Sequence, residues 1–137
     1  MGYKSPILYT LMMQSGNMAT PLDTTDYFIG PSWSTLAGYG RIYFPRTGRI
    51  TGFNLFFTTG TIGSAEDIVA SVRINNTTDH AISTTFHLDA VRGSLEKYDF
   101  SIPAVRGEWC ELKLSCPAWG TNPQNVVIRY QILIETE

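Results

Sequence analysis

Twelve carboxylates, two histidines and two cysteines are the residues with which this chain could do chemistry. Hydrolysis needs a nucleophile with a base and an orienting group, or two carboxylates placed across a scissile bond. Asp23, Asp26, Glu66, Asp67, Asp79, Asp89, Glu96, Asp99, Glu108 and Glu111 lie mostly in or beside turn-rich segments, where they cap backbone amides or meet water. No GxSxG elbow occurs. Gly60-Thr61-Ile62-Gly63-Ser64 is rich in glycine but lacks the GK[ST] ending and is followed by no helical pattern. His80 and His87 stand seven apart on one candidate strand, hence on opposite faces. Cys110 and Cys116 are spaced CxxxxxC, unlike the close pairs of zinc sites. On an extended strand their Cα atoms are about 20 Å apart, beyond the reach of a disulfide. Calcium would have to draw on Glu66, Asp67, Asp79 and Asp89, which form no DxDxDG-type run. No catalytic residue, metal site or cofactor is predicted.

The aromatic residues carry the recognition chemistry instead. Trp33 and Trp119 lie in proline-flanked, loop-like segments, and Trp109 opens a strand on the same face as Glu111 and Lys113. An exposed tryptophan stacks on a sugar ring or anchors a protein partner. Trp109 and Trp119 are therefore the ligand-stacking candidates, although Trp119 would equally plug one end of the fold. Tyr27, Phe28, Trp33 and Tyr39 fall in a segment too apolar to dissolve freely, and are the candidates for contact with a neighbouring subunit.

The elements that position these residues are strands. Cys110, Leu112, Leu114 and Cys116 share one face, as do Val126, Ile128, Tyr130, Ile132 and Ile134. Polar residues fill most of the positions between, so each strand buries one side and wets the other. This closing pair reads as one wall of a sandwich, with its cysteines as buried free thiols. Upstream, Arg49 to Phe57 alternates with Phe53, Leu55 and Phe57 inward. Ile68, Ala70, Val72 and Ile74 face inward across an Asn-rich turn from Ile82, Thr84, Phe86 and Leu88, predicting a hairpin over 68–88. Tyr98, Phe100 and Ile102 predict another strand, and 89–97 at most a helical turn interrupted by Gly93. No long amphipathic helix appears, which excludes a βαβ fold. The chain is predicted to be all-β, an antiparallel β-sandwich of about eight strands. An immunoglobulin-like arrangement also fits, but the long connections favour a jelly-roll-like one. Residues 1–40 read as an N-terminal strand and extended arm, and 41–137 as the sandwich, within a single domain overall.

Composition narrows the partners. Only 16% of residues are charged and the net charge is −2, with the arginines scattered along the chain. Nucleic-acid binding requires a clustered positive footprint, so none is predicted. No apolar run approaches a membrane span, and the short segment 7–13 does not make a signal peptide. Without a secretory signal, the sequons at Asn75 and Asn76 mark only a polar turn. A surface so poor in charge suits one covered by neighbouring subunits.

Across residues 41–134 the chain resembles small jelly-roll virion proteins of tailed bacteriophages: capsid decoration proteins, head fibres and tail-fibre tips. The resemblance rests on Val72-Arg73-Ile74-Asn75-Asn76-Thr77, Pro103 through Gly107-Glu108, Glu111-Leu112-Lys113, and Trp119 through Asn122-Pro123. It implies a homotrimer packed around a threefold axis and bound to phage capsid or fibre proteins, located in the virion after synthesis in the host cytoplasm. It supplies no active-site residues, and the first forty residues lie outside it. The expected function is that of a non-enzymatic virion structural protein. The alternative is a receptor-binding tip or carbohydrate-binding module that takes a bacterial surface glycan.

Overall fold

The computed structural model describes residues 7–19, 24–82 and 86–136. Its strands are β1 (Leu8–Gln14), β2 (Asp26–Ile29), β3 (Trp33–Ser34), β4 (Ile42–Tyr43), β5 (Gly48–Thr58), β6 (Val69–Ile74), β7 (Thr78–Ala81), β8 (Arg92–Lys97), β9 (Ile102–Ala104), β10 (Trp109–Ser115) and β11 (Val127–Thr136). One sheet runs β1-β11-β5-β8, with β9 also beside β5. The other runs β3-β2-β10-β6-β7, with β4 also beside β10. Every pairing is antiparallel. Setting aside the two- and three-residue strands β3, β4 and β9 leaves eight. Along these eight the chain changes sheet at every connection except β6 to β7. That is the interleaved Greek-key path of a jelly roll, and it excludes the immunoglobulin arrangement.

The core lies between the sheets. Ile50, Phe53, Leu55, Ile128, Tyr130, Ile132 and Ile134 from the first sheet meet Ile29, Ala70, Val72, Leu112 and Leu114 from the second. The odd spacing of Ile50 and Phe53 would turn them to opposite faces. A bulge that places Thr51 between the pairs Leu133↔Gly52 and Ile134↔Ile50 brings both inward. The Tyr130 hydroxyl donates to the Ile29 carbonyl at 2.7 Å and so ties the two sheets together inside the core.

Four sequence expectations are corrected. The closing strands do not form one wall: β10 and β11 belong to opposite sheets, because the 116–126 connection carries the chain across the end of the sandwich. The hairpin is tighter than 68–88. Asn75 and Asn76 take the left-handed conformation (φ 50° and 58°), which returns the chain at once into β7. Ile82, Phe86 and Leu88 are nevertheless buried, as expected, whereas Thr84 lies outside the described residues. The helical turn over 89–97 is strand β8. Gly93 serves packing there, since a Cβ would sit 2.5 Å from Phe57 Cζ. The strand expected from Tyr98 begins only at Ile102, leaving Tyr98 exposed. Cys110 is buried and Cys116 half-buried, both as free thiols whose pKa burial pushes up to about 12.

Candidate assembly surface

Strand β2 places Tyr27 and Ile29 inward and Phe28 outward, on the second sheet's outer face. Phe28 is covered there, with the Arg73 guanidinium 5.8 Å from its ring centre. Beyond β2 the chain turns, adds the two-residue β3 to the sheet edge, and returns to β10 within the loop 30–41. Gly30 and Gly40 meet so closely that a Cβ on either would collide with the other's backbone.

The fastener of this loop is Glu111. It lies on the face of β10 that alternation assigns to water, yet it is fully buried. Its Oε1 accepts the Gly38 amide at 2.9 Å and its Oε2 accepts the Gly40 amide at 3.1 Å. Burial raises its pKa, while the two amides and the charges of Arg73 and Arg41 partly offset that rise. Arg41 donates to the Gly38 carbonyl at 2.9 Å and lies 4.8 Å from the centre of the Trp109 ring, which it covers. Nothing in the sequence pattern pointed to Glu111 as buried. The signal available was the run Gly38-Tyr39-Gly40, two small residues whose amides can approach a carboxylate.

Held in this way, the loop displays apolar side chains to solvent. Leu36 is 67% exposed, Tyr39 60% and Trp33 39%, and Tyr43 on the adjoining β4 is 55% exposed. Trp33 is oriented rather than free: it meets Tyr27 edge-on at 5.6 Å, and its indole N–H donates to the Asn17 carbonyl at 3.2 Å. Of the four residues singled out for subunit contact, Tyr27 and Phe28 are therefore buried in their own sandwich, and Trp33 and Tyr39 face outward.

The two ligand-stacking candidates do not come together. Trp109 is half-buried beneath Arg41, and Trp119 is 7% exposed and part of the core. The loop around Trp119 is bound to the 61–66 segment. Ser64 and Thr121 exchange backbone and hydroxyl bonds, and Gly120 donates to Glu66 at 3.1 Å.

The chain is similar in fold to the PRD1 vertex protein P5. The match has a TM-score of 0.52 at 10% identity and covers 93% of this chain and 96% of that one. Looser likenesses are to infectious bursal disease virus Gx strain (TM-score 0.40, 12% identity, 97% of this chain and 37% of that one) and to a Podospora anserina GH26-CBM35 beta-(1,4)-mannanase (0.40, 10%, 90% and 27%). These two carry no weight for function. No protein-family model matches the sequence, and no curated protein does. A jelly-roll sandwich shared with a viral vertex protein is what the comparisons establish.

Asp67, Asp79 and Asp89 make ion pairs or close contacts away from the loop 30–41. Asp79 bonds Arg73 at 2.7 Å and Lys113 at 2.9 Å. His87 contacts Asp67 at 2.7 Å and lies 4.0 Å from Asp89. Among the described residues, no three histidine, cysteine, aspartate or glutamate side chains gather as a metal site would require. Among them, too, no helix is long and apolar enough to cross a membrane.

Proposed function

We propose that this chain is a non-enzymatic structural subunit of a virus particle, of the tailed-phage capsid-decoration or head-fibre kind, acting through contacts between subunits. One observation carries the reading: the loop 30–41 is pinned through a buried carboxylate yet presents Leu36, Tyr39 and Trp33 to solvent. Exposing large apolar side chains on a restrained loop has little value to an isolated monomer. It is well suited to burying them against a second surface with little loss of conformational entropy. The partners are further copies of the chain, as a homotrimer, and the capsid or fibre proteins to which the trimer attaches. No nucleic acid or membrane enters this reading.

Light scattering after size exclusion tests it. The wild type at micromolar concentration is expected at three times the 15.3 kDa monomer mass, and a double variant Leu36→Ser, Tyr39→Ser at the monomer mass. A wild type that elutes as a monomer, or a double variant that stays trimeric, overturns the loop as the contact.

A further inference from the structure

Among the described residues the sandwich has unpaired strand edges, and they are not alike. β7 carries Asp79 and His80, β8 carries Arg92, Glu96 and Lys97, and β3 is two residues long. Charge and shortness are the usual defences of an edge against pairing with another chain. β1 has neither. It is seven residues, Leu-Tyr-Thr-Leu-Met-Met-Gln, without a charge or a proline, and it closes its sheet on one side.

The direction of its free backbone groups follows from the register. Thr136 N donates to the Ile7 carbonyl and Ser15 N to the Ile128 carbonyl, each at 2.8 Å, and the pairing between them runs without a bulge. Odd-numbered residues of β1 therefore bond to β11. Leu8, Thr10, Met12 and Gln14 point their amides and carbonyls away from the sheet.

We propose that this edge is a self-complementary joint, at which two copies of the chain pair their β1 strands antiparallel about a twofold axis at Leu11. In that register Leu8 faces the partner's Gln14 and Thr10 faces the partner's Met12. All of them are outward-bonding residues, so about eight hydrogen bonds cross the join. On the inner side Leu11 meets the partner's Leu11, and Tyr9 meets the partner's Met13. All three are half-buried against the core, so the join extends that core from one copy into the next.

On the outer side, Leu8 is 60% exposed and Met12 66%. The partner's Leu8 comes beside Gln14, at a groove of about 660 Å³ whose lining includes Met12, Phe56 and Arg129. Charges match as well. Glu135 neighbours Leu8 and Arg129 neighbours Gln14, so each end row of the join runs from a carboxylate to a guanidinium with no like-charge pair. These lie about 14 Å apart, three strand spacings and beyond a Debye length, so they add little strength. Their merit is that the join brings no like charges together. One strand edge is a small contact, and the joint belongs with weak interfaces that act at high local concentration. It uses residues other than Leu36 and Tyr39, although Pro31 of the loop lines the same groove.

Cysteine scanning of the full chain tests the register. The axis at Leu11 makes it a non-hydrogen-bonded pair with its own copy, with Cα atoms about 4.5 Å apart and within disulfide range. Under mild oxidation at high protein concentration, Leu11→Cys is expected to form an interchain disulfide at least about tenfold faster than Leu8→Cys, whose copies lie at opposite ends of the join. Leu8 is the more exposed of the two, so random collision would favour the reverse order. Adding Thr10→Pro, which removes an outward amide while sparing the bonds to β11, is expected to abolish the cross-link. Equal rates for the two cysteines, no Leu11→Cys disulfide, or pairing only with a different protein's strand would each overturn the proposal. Leu36→Ser, Tyr39→Ser is expected to leave the Leu11→Cys cross-link intact, so failure of the loop contact and failure of this joint are separable.

Discussion

Removing the Glu111 carboxylate probes what holds the aromatic loop in place. In Glu111→Ala the buried amides of Gly38 and Gly40 lose their acceptors. A buried donor left unsatisfied costs about 1–3 kcal/mol. Relief from burying a charge offsets part of the two losses, leaving a net destabilisation of about 2–4 kcal/mol. In a domain of this size that lowers the melting temperature by roughly 10 °C. Glu111→Gln keeps one acceptor but turns an NH₂ toward the other amide, and is expected to fall between wild type and Ala. The pH dependence has a definite sign. Because the folded pKa is raised, folding favours the protonated carboxyl. Its stabilisation is present at low pH and lost as pH rises from the ordinary glutamate range through the folded pKa. Glu111→Gln is expected to remove that fall. Urea denaturation across pH, followed by tryptophan fluorescence because Trp33 and Trp109 adjoin the loop, measures both effects. A loss below about 1 kcal/mol in Glu111→Ala would mean that water satisfies the two amides and that the carboxylate does not pin the loop.

Two further outcomes are expected. Gly93→Ala pushes a methyl group into the Phe57 ring, at a cost of about 1–3 kcal/mol in thermal or chemical denaturation, and Phe57→Leu in the same chain should recover part of it; no loss would mean that the ring moves freely. At Asp79, partial burial opposes ionisation, but the bonds and charges of Lys113 and Arg73 outweigh it and hold the pKa below the usual aspartate range. Its stabilisation is therefore present above that range and lost as pH falls through the folded pKa; Asp79→Asn should flatten that part of the acid limb, and an unchanged acid midpoint would refute the assignment.

The inward faces were legible wherever one side of a strand is wet. Phe53, Leu55 and Phe57 on β5, and Ile128 to Ile134 on β11, were placed by alternation alone. Alternation reports a strand's face but not its neighbour. Consecutive strands such as β10 and β11 therefore looked paired, when the jelly-roll path sends them to opposite sheets. The reading failed at Glu111 for a related reason. A period of two assigns that position to water, and only the return of 30–41 across the sheet dries it. Gly93 misled differently, since a glycine that interrupts a helical pattern is equally a glycine that admits a neighbouring ring. The aromatic residues of 27–39 stood out by their number, but their division into buried Tyr27 and Phe28 and outward Trp33 and Tyr39 depends on where β2 ends.

The β1 edge and the outward side chains of 30–41 are distinct but adjoining: Pro31 of the loop helps line the groove beside Met12 and Gln14, and Trp33 donates to the Asn17 carbonyl just beyond β1. The proposed β1 joint would close one sheet edge about a twofold axis, whereas Gly38 and Gly40 of the loop are held on the opposite sheet by Glu111. A chain with one self-contact of closed symmetry, twofold or threefold, makes an oligomer of fixed size. A chain with two such contacts of different symmetry would make an extended array, provided both can be occupied at once, in which each contact raises the effective concentration for the other. In such an array a weak β1 joint is an advantage, because a strong edge would lock subunits together before the loop contacts had set their spacing. The absence of charge from β1 then has a use: the exposed edge is a hazard to a free monomer and a connector within an assembly.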